Sequence, residues 1–382
     1  MPDNPLTIYF PGKLVFGNGT LAQLADEILE LQPKKVFLLT ISPLKQALQH
    51  FTDSLEQAGI LVQRDVSILA EPSFSDFDRL MKDVTPFDPD IVIGIGGGSV
   101  LDMAKLVAAQ LGNEQQLKEY VGIGLLKGRK RKLVCVPATS GTGSEVSPNA
   151  ILIDDANQKK GIISPFLVPD IVYVDPLLTH SLPPALTAAT GMDALTHCLE
   201  AYTNKFAQPL IDVYAWRGME LIAQSIEAAV KNGKDTKARE DLAMGSLLGG
   251  FCLGPVNTAG VHALSYPLGS MFHLAHGLSN AVLLPYVMEY NIPAAVERYA
   301  RVALALGCGQ KSSAFETAMA GVEKIRELNR VCGIPSRLQE LDVPESAIPQ
   351  MAADALTIQR LLKNNPREIK VEDAIQIYKS AF

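Results

Sequence analysis

Hydrophobic residues in the first half of the chain form short continuous runs that alternate with amphipathic stretches. Such runs are typical of strands that are buried on both faces, whereas a 3.6-residue periodicity is typical of helices. The alternation indicates a parallel sheet covered by helices on both faces. The predicted strands are Lys35–Thr40, Leu61–Leu69, Ile91–Ile95 and Leu133–Val136, and the predicted helices include Ser75–Val84, with Ser75 as N-cap, and Val100–Leu111.

The pattern changes near residue 180, where strand-like runs become scarce and long helical patterns follow one another. Three of these are predicted at Ala185–Tyr202, Pro209–Lys231 and Thr236–Leu253. A chain of 382 residues also favours more than one domain. We therefore predict an α/β plus all-α fold, with an α/β domain at residues 1–180 and an α-helical domain at residues 181–382.

Composition and charge narrow the possible functions. The net charge of −7 disfavours nucleic acid as a partner, because phosphate binding needs an excess of basic side chains. No apolar run is long enough to predict a membrane span, and no signal peptide is visible at the N-terminus. The five cysteines form no C-x-x-C pair, which fits a reducing compartment, and we expect a cytoplasmic protein.

A glycine-rich turn follows one of the buried strands. The stretch IVIGIGGGSVLDMAK places Gly96, Gly97, Gly98 and Ser99 between a strand and a helix. Glycines let a backbone approach a ligand closely, and a helix N-terminus presents free N–H groups to an anion. The turn therefore predicts a pyrophosphate site. The alternative is a structural turn with Ser99 as N-cap and Asp102 completing a capping box.

A second polar loop, PATSGTGSE, follows the next predicted strand and contains Thr139, Ser140 and Thr142. Ligands bind at the carboxyl ends of strands in open α/β sheets, so two polar loops after neighbouring strands indicate one ligand site. A loop that satisfies its own backbone with hydroxyl groups is the structural alternative.

Four of the six histidines fall between residues 197 and 276. Asp193 and His197 are four residues apart on a predicted helix, so their side chains share one face. Together with His262 and His276 they form a set of nitrogen and oxygen ligands suited to ferrous iron or zinc. A lone helical histidine is more often structural, and the prediction depends on the set rather than on any single member.

Two nearby residues have alternative roles. His273 is three residues from His276 and is either a ligand or a group that orients one, and we favour the second interpretation. Glu200 shares the helix face of Asp193 and His197, so it competes for the position of fourth ligand. We interpret it as an orienting acid or a helix-surface acid.

Seven segments spread over nearly the whole chain resemble the iron-dependent, or group III, alcohol dehydrogenase family. That family has an N-terminal Rossmann-like dinucleotide-binding domain and a C-terminal α-helical domain, a dehydroquinate synthase-like architecture with the active site in the interdomain cleft. The segments are PGKLVFGNGTL, GGGSVLDMAK, PATSGTGSEVS, LVPDIVYVDPLL, LPPALTAATGMDALTHCLEAY, GVHALSYPLG and HGLSNAVLLP.

The resemblance assigns roles to residues of this chain. It implies that the metal ligands are the four chosen above on chemical grounds. It implies cofactor contacts for the glycine turn, for Asp102 of the GGGSxxDxxK motif, for the loop hydroxyl groups and for Lys159.

Two departures from the family pattern concern the proton and the cofactor. Many members have a second histidine four residues after the one matching His262, where it is suggested to relay a proton, and Tyr266 stands there in this chain. Many NAD-preferring members have an aspartate after the first strand of the dinucleotide domain. Ile41 occupies that position here, followed by Ser42. We expect NAD or NADP as the cofactor.

The resemblance implies a metal-dependent hydride transfer between the nicotinamide and a small alcohol or aldehyde whose oxygen binds the metal. The metal is expected to be Fe²⁺, with Zn²⁺ as the alternative, and the protein is expected to be a homodimer or a larger homo-oligomer. A metal- and dinucleotide-dependent lyase or cyclase of the dehydroquinate synthase type is the alternative function. A non-catalytic binding protein is a third possibility, against which the intact ligand set argues.

Overall fold

The computed structural model describes residues 6–156 and 158–382. The chain divides into two compact units. One is an α/β unit made of residues 9–139 and 143–179. The other is a helical unit made of residues 180–382, the short segment 140–142 and the described residues 6–8.

Within the described part of the α/β unit, six strands form one sheet in which every pair of neighbours is parallel. Four helices belong to the same unit. The parallel sheet predicted from the hydrophobic runs is confirmed. The strands of this sheet are β1 (Lys13–Phe16), β2 (Lys35–Leu39), β3 (Leu61–Asp65), β4 (Ile91–Gly96), β6 (Lys132–Pro137) and β9 (Ile171–Val174), and the helices are α1 (Leu24–Glu30), α2 (Gln49–Gln57), α3 (Phe74–Phe87) and α4 (Gly98–Gln110).

Alternate residues of the central strands pack into two separate apolar layers. In β2, Phe37 and Leu39 join the layer formed with α3 and α4, whereas Val36 and Leu38 join the layer formed with α1 and α2. All four side chains are fully buried. Burial on both faces explains why these strands read as continuous hydrophobic runs instead of alternating ones.

The order of the strands creates a switch point in the sheet. The sequence of neighbours is β1-β9-β6-β4-β2-β3, so the chain moves from β2 to one side and then returns to place β4 on the other. The crevice at the carboxyl ends of two such strands is the position where open α/β sheets bind ligands. Here Leu39 pairs with Gly94, and the Thr40 hydroxyl donates to the Ile95 carbonyl oxygen at 2.7 Å.

A second, smaller sheet was not anticipated by the sequence analysis. Its strands, as far as the structure describes them, are β5 (Gly122–Ile123), β7 (Asn149–Ile153) and β8 (Lys159–Ile163), in the order β5-β8-β7. The strands β7 and β8 are antiparallel. The strand β5 has only two residues and β8 begins with two lysines, so neither carries a strong hydrophobic signal, whereas β7 contains a short apolar run that was not assigned to a strand.

The helical unit has one extensive apolar core shared by its long helices. Two of these, α6 and α7, have the bounds predicted from the sequence. The α-helices of the described part are α5 (Pro184–Thr203), α6 (Pro209–Lys231), α7 (Thr236–Leu253), α8 (Gly260–Phe272), α9 (His276–Asn291), α10 (Val296–Ala305), α11 (Ala314–Val331), α12 (Ile348–Leu356), α13 (Gln359–Leu362) and α14 (Val371–Ala381).

Two local predictions in the α/β unit were wrong. Ser73, not Ser75, is the N-cap of α3, because its side chain accepts from the backbone N–H of Asp76 in a capping box. The third strand ends at Asp65 and does not reach Leu69, because the Asp65 carboxylate accepts from the backbone N–H of Ser67 and turns the chain.

Among the described residues, we find no helix with the length and apolar character needed to cross a membrane.

Candidate functional site

One face of α5 carries three polar side chains that are buried in the helical unit. Asp193, His197 and Glu200 are spaced four and three residues apart, and each is at most 5% exposed. This spacing places them in a row along one face of the helix. Buried polar groups require partners, so the neighbouring helices must supply them.

The partners come from α8 and from the first residue of α9. The Nε2 atoms of His262 and His276 lie 3.6 and 3.7 Å from the same Asp193 oxygen, Oδ1. The close approach of α9 to α5 depends on Gly277, because a Cβ atom there would lie 2.2 Å from the carbonyl oxygen of Ala189. The motif His-Gly therefore combines a candidate ligand with the small residue that lets α9 approach α5.

The spacing of these atoms fits a single cation. Ligand atoms of Asp193, His262 and His276 all lie within 4.8 Å of one another. His197 joins them through its Nε2, 3.8 Å from Asp193 Oδ1, and its ring stacks on that of His262 at 4.8 Å. Four ligands of a tetrahedral metal are about 3.4 Å apart when the bonds are near 2.1 Å. The structure brings Asp193, His262 and His276 together as one group and places His197 beside it, in contact with Asp193 and His262.

The electrostatics of the cluster favour a positive charge at its centre. Burial alone would raise the pKa of Asp193, but the imidazoles of His197 and His276 hold it far below its usual range. Burial lowers the pKa of His197 to about 4, which leaves this ring neutral and able to donate a lone pair. Burial also opposes charging of His262, yet the carboxylates of Glu200 and Asp193 raise its pKa to about 9.

Glu200 orients His262. Its carboxylate lies 2.6 Å from His262 Nδ1 and accepts from the backbone N–H groups of Ala259 and Val261 at 2.9 and 2.6 Å. With Nδ1–H directed to a carboxylate, Nε2 is the atom left to bind a metal. Glu200 is 3% exposed, so of the two interpretations from the sequence the structure supports the orienting acid and not the surface acid.

His273 does not join the cluster. It ends α8 in the left-handed conformation, with φ of 55°, and its side chain is exposed. The orienting role expected for His273 therefore belongs to Glu200. Tyr266 does lie beside the cluster, because its ring is 6.1 Å from that of His276 and its hydroxyl accepts from Arg360 at 3.4 Å.

Asn280, which was not among the residues predicted from the sequence, is fully buried against the proposed ligands. Its Nδ2 donates to Asp193 Oδ1 at 2.7 Å. The position four residues after His276 on the same helix was the available signal, because that spacing places both side chains on one face.

In the α/β unit the four glycines from Gly94 to Gly98 have different roles. A Cβ at Gly94 would lie 2.7 Å from Ala104, and one at Gly96 would lie 2.8 Å from Val100, so both allow α4 to pack against its strand. A Cβ at Gly97 would make only ordinary contacts with Thr139, at 3.5 Å. Of Gly94, Gly96 and Gly97, only Gly97 has room for a Cβ atom within the described protein.

The capping interpretation of this turn is wrong. Gly97 is the N-cap of α4, and no side chain in the described part of the chain caps the helix. Asp102 accepts from the Ser144 hydroxyl and, at 2.9 Å, from the backbone N–H of Ile151. Asp102 thus fastens the loop after β6 to α4, and Gly98 and Ser99 leave the N–H groups of the helix start without a side-chain cap.

The remaining predicted cofactor residues lie in several places. Ile41 is extended and partly buried and Ser42 is exposed, both directly after β2. Ser140 is buried, and its hydroxyl has no hydrogen-bond partner among residues 6–156 and 158–382. It belongs with Thr142 to the helical unit. Lys159 begins β8 and forms an ion pair with Glu71.

A parallel sheet with a switch point and a helical unit with an Asp-His₃ cluster are the two parts expected of a metal-dependent oxidoreductase that acts on alcohols or aldehydes, and comparison with known proteins assigns the chain to that class. Models of two protein families match this chain. Iron-containing alcohol dehydrogenase matches residues 11–176, and the C-terminal region of the Fe-containing alcohol dehydrogenase family matches residues 187–382. The chain belongs to the iron-containing alcohol dehydrogenase family.

Individual relatives agree with this assignment. The chain is 38% identical to long-chain-alcohol dehydrogenase 1 of Geobacillus thermodenitrificans, over 98% of this chain and 96% of that protein. It superimposes on a crystal structure of 1,3-propanediol oxidoreductase with a TM-score of 0.95, at 33% identity over 99% of this chain and 100% of that one.

A sulfoacetaldehyde reductase from Bifidobacterium kashiwanohense, solved in complex with NAD⁺, has a TM-score of 0.88 at 25% identity, with 99% of each chain covered. These relatives are oxidoreductases, which disfavours the lyase or cyclase alternative.

The contacts of Glu200 lead to a first prediction. Glu200→Gln removes the charge that orients His262 while keeping the size of the side chain. We expect the affinity for a divalent metal to fall by roughly 10- to 100-fold, as is typical when a group that orients a metal ligand is changed. Competition with a chromophoric chelator measures the metal affinity.

Glu220→Gln is the matched control, because Glu220 lies on α6 of the same unit and pairs with Arg217 on the surface. Equal metal affinity in Glu200→Gln, Glu220→Gln and the unmodified protein would show that Glu200 does not support a metal site.

Proposed function

We propose that this chain transfers a hydride between NAD or NADP and a small alcohol or aldehyde, with one divalent metal held in the helical unit. The proposed ligands are Asp193, His197, His262 and His276. The observation that carries the proposal is the convergence of three imidazole nitrogens on one carboxylate oxygen, at 3.6 to 3.8 Å. We favour Fe²⁺ over Zn²⁺ because of the family to which the chain belongs.

The bound groups supply the chemistry, since a divalent metal polarises the substrate C–O bond and the nicotinamide carries the hydride. The protein's own residues hold and orient them. Asp193 contributes the negative charge, and Glu200 keeps His262 in the tautomer that can ligate. Tyr266 is the proposed proton carrier, because its hydroxyl lies beside Arg360 and its ring beside His276.

In the α/β unit, the start of α4 is the proposed pyrophosphate site. The N–H groups at Gly98 and Ser99 open a helix that no side chain caps, so they are available to an anion. The turn lies at the switch point between β2 and β4, where Ile41 and Ser42 follow the neighbouring strand. Support for a dinucleotide also comes from the NAD⁺-bound relative.

A cytoplasmic location and a homodimer or larger homo-oligomer complete the proposal. The five cysteines are all free, which is consistent with a reducing compartment.

The experiment that tests the function is a panel of alcohols and aldehydes, assayed with both nicotinamide cofactors and with added Fe²⁺ or Zn²⁺. His276→Ala should lower metal content and turnover together, because it removes one ligand and leaves the helix intact. His273→Ala is the control, since His273 is exposed and outside the cluster. Full activity of His276→Ala in chelator-treated buffer would refute the metal assignment.

The glycine turn gives a second test. Gly97→Val should weaken binding of NAD or NADP, because its branched side chain would occupy the space a phosphate needs, whereas its Cβ atom would lie at an ordinary distance of 3.5 Å from Thr139. Titration of protein fluorescence with each cofactor measures the affinity.

Gly96→Ala provides the contrast. Its Cβ would clash with Val100, so it should lower the melting temperature. If Gly97→Val keeps the cofactor affinity of the unmodified protein, the turn is structural and does not hold the pyrophosphate.

Cofactor preference depends on the residue after β2. A carboxylate there would accept hydrogen bonds from the ribose hydroxyls of NAD and repel the 2′-phosphate of NADP, and Ile41 does neither. We expect the unmodified protein to accept NADP, and Ile41→Asp to shift the ratio of kcat/KM values toward NAD. Ile41→Asn separates the effect of charge from the loss of apolar packing.

Rejection of NADP by the unmodified protein would contradict this prediction, as would an unchanged ratio in Ile41→Asp. The acid that holds the ribose would then lie elsewhere. Asp65 is the candidate, because it ends the adjacent strand in register with Leu39.

A further inference from the structure

Asn280 occupies a position that the proposed ligand set does not explain. Its Nδ2 lies 2.7 Å from Asp193 Oδ1, 3.1 Å from His262 Nε2 and 3.3 Å from His276 Nε2. The side chain is fully buried. One amide nitrogen thus contacts three of the atoms that would bind a metal.

An Nε2 atom of His262 or His276 cannot accept a hydrogen bond from Asn280 and bind a metal at the same time. A carboxylate oxygen has lone pairs to spare, so Asp193 can accept from Asn280 and still bind a cation. An imidazole nitrogen has a single lone pair, which lies in the plane of the ring. Because Glu200 engages Nδ1 of His262, only Nε2 of this ring is left for other partners, and once it has lost its proton it either accepts from Asn280 or ligates a metal. The same choice applies to Nε2 of His276.

The carbonyl oxygen of the Asn280 amide is not matched by a hydrogen-bond donor in this arrangement. Asn280 Oδ1 is buried and has no hydrogen-bond partner among the described residues. A buried carbonyl oxygen without a donor is costly, so the amide is not fully satisfied in its present position.

We propose that Asn280 holds the ligands together in the metal-free protein and competes with the metal for them. This inference rests on the proposed metal site. An interaction made only in the metal-free state lowers metal affinity, because binding must first break it. Asn280 therefore keeps the buried cluster assembled before loading, at the expense of affinity.

The test is Asn280→Ala, with Zn²⁺ as the probe. Zn²⁺ affinity is measured by chelator competition, and melting temperature is measured with and without the ion. We expect about tenfold tighter binding, the equivalent of roughly one net hydrogen bond. The melting temperature should fall in the metal-free protein and change little in the loaded one. Asn280→Ser, whose side chain is too short to span the cluster, gives the same comparison should the alanine variant fold poorly.

Asn329→Ala is the matched control. Asn329 is another buried asparagine of the helical unit, and its Nδ2 donates to the Ala281 carbonyl oxygen at 2.7 Å without touching a ligand. It should lower both melting temperatures alike and leave Zn²⁺ affinity unchanged.

Weaker or unchanged Zn²⁺ binding in both Asn280 variants would overturn the proposal, because Asn280 would then be a donor that stays in place when the site is loaded. His276→Ala separates this failure from a failure of the site itself. If that variant binds Zn²⁺ as tightly as the unmodified protein, the metal site is wrong and the inference is overturned with it.

Discussion

The structure of the candidate metal site depends on two carboxylates buried on one face of α5. A buried charge must be matched by donors, and each carboxylate recruits a different part of the helical unit. Glu200 accepts the backbone N–H groups of Ala259 and Val261, at the start of α8, together with Nδ1 of His262. The Glu200 side chain therefore accepts from the free N–H groups at the start of α8 and also fixes the tautomer of His262. Asp193 is left as the oxygen on which the imidazoles converge.

In the α/β unit, the polar groups offered at the candidate ligand site are backbone N–H groups instead of buried carboxylates. Parallel strands that are covered on both faces have few places to expose polar groups, and the switch point between β2 and β4 is one of them. The start of α4 lies there with uncapped N–H groups. Asp102 holds the following loop by accepting from Ser144 and Ile151. The motif GGGSxxDxxK thus contains both the candidate anion site at the start of α4 and Asp102, whose hydrogen bonds hold the loop after β6 beside that site.

Much of this was readable from residue types and spacing. Hydrophobic runs located the central strands, and a helical spacing of four placed Asp193 and His197 together. The weaker predictions concerned roles that depend on contacts between distant residues. His273 was chosen as an orienting group for its nearness in sequence to His276, yet it is exposed. Glu200, 62 residues from His262, makes that contact.

The sequence by itself determined the fold class, the position of the glycine turn and the identity of the four candidate ligands, because these follow from local periodicity and ligand chemistry. Tertiary structure alone decided which acid orients His262, where Asp102 is engaged and that Asn280 contacts the cluster. The physical reason is that a buried polar group is matched by whichever donor the packing of other helices and strands brings within about 3 Å, and no local pattern specifies that partner.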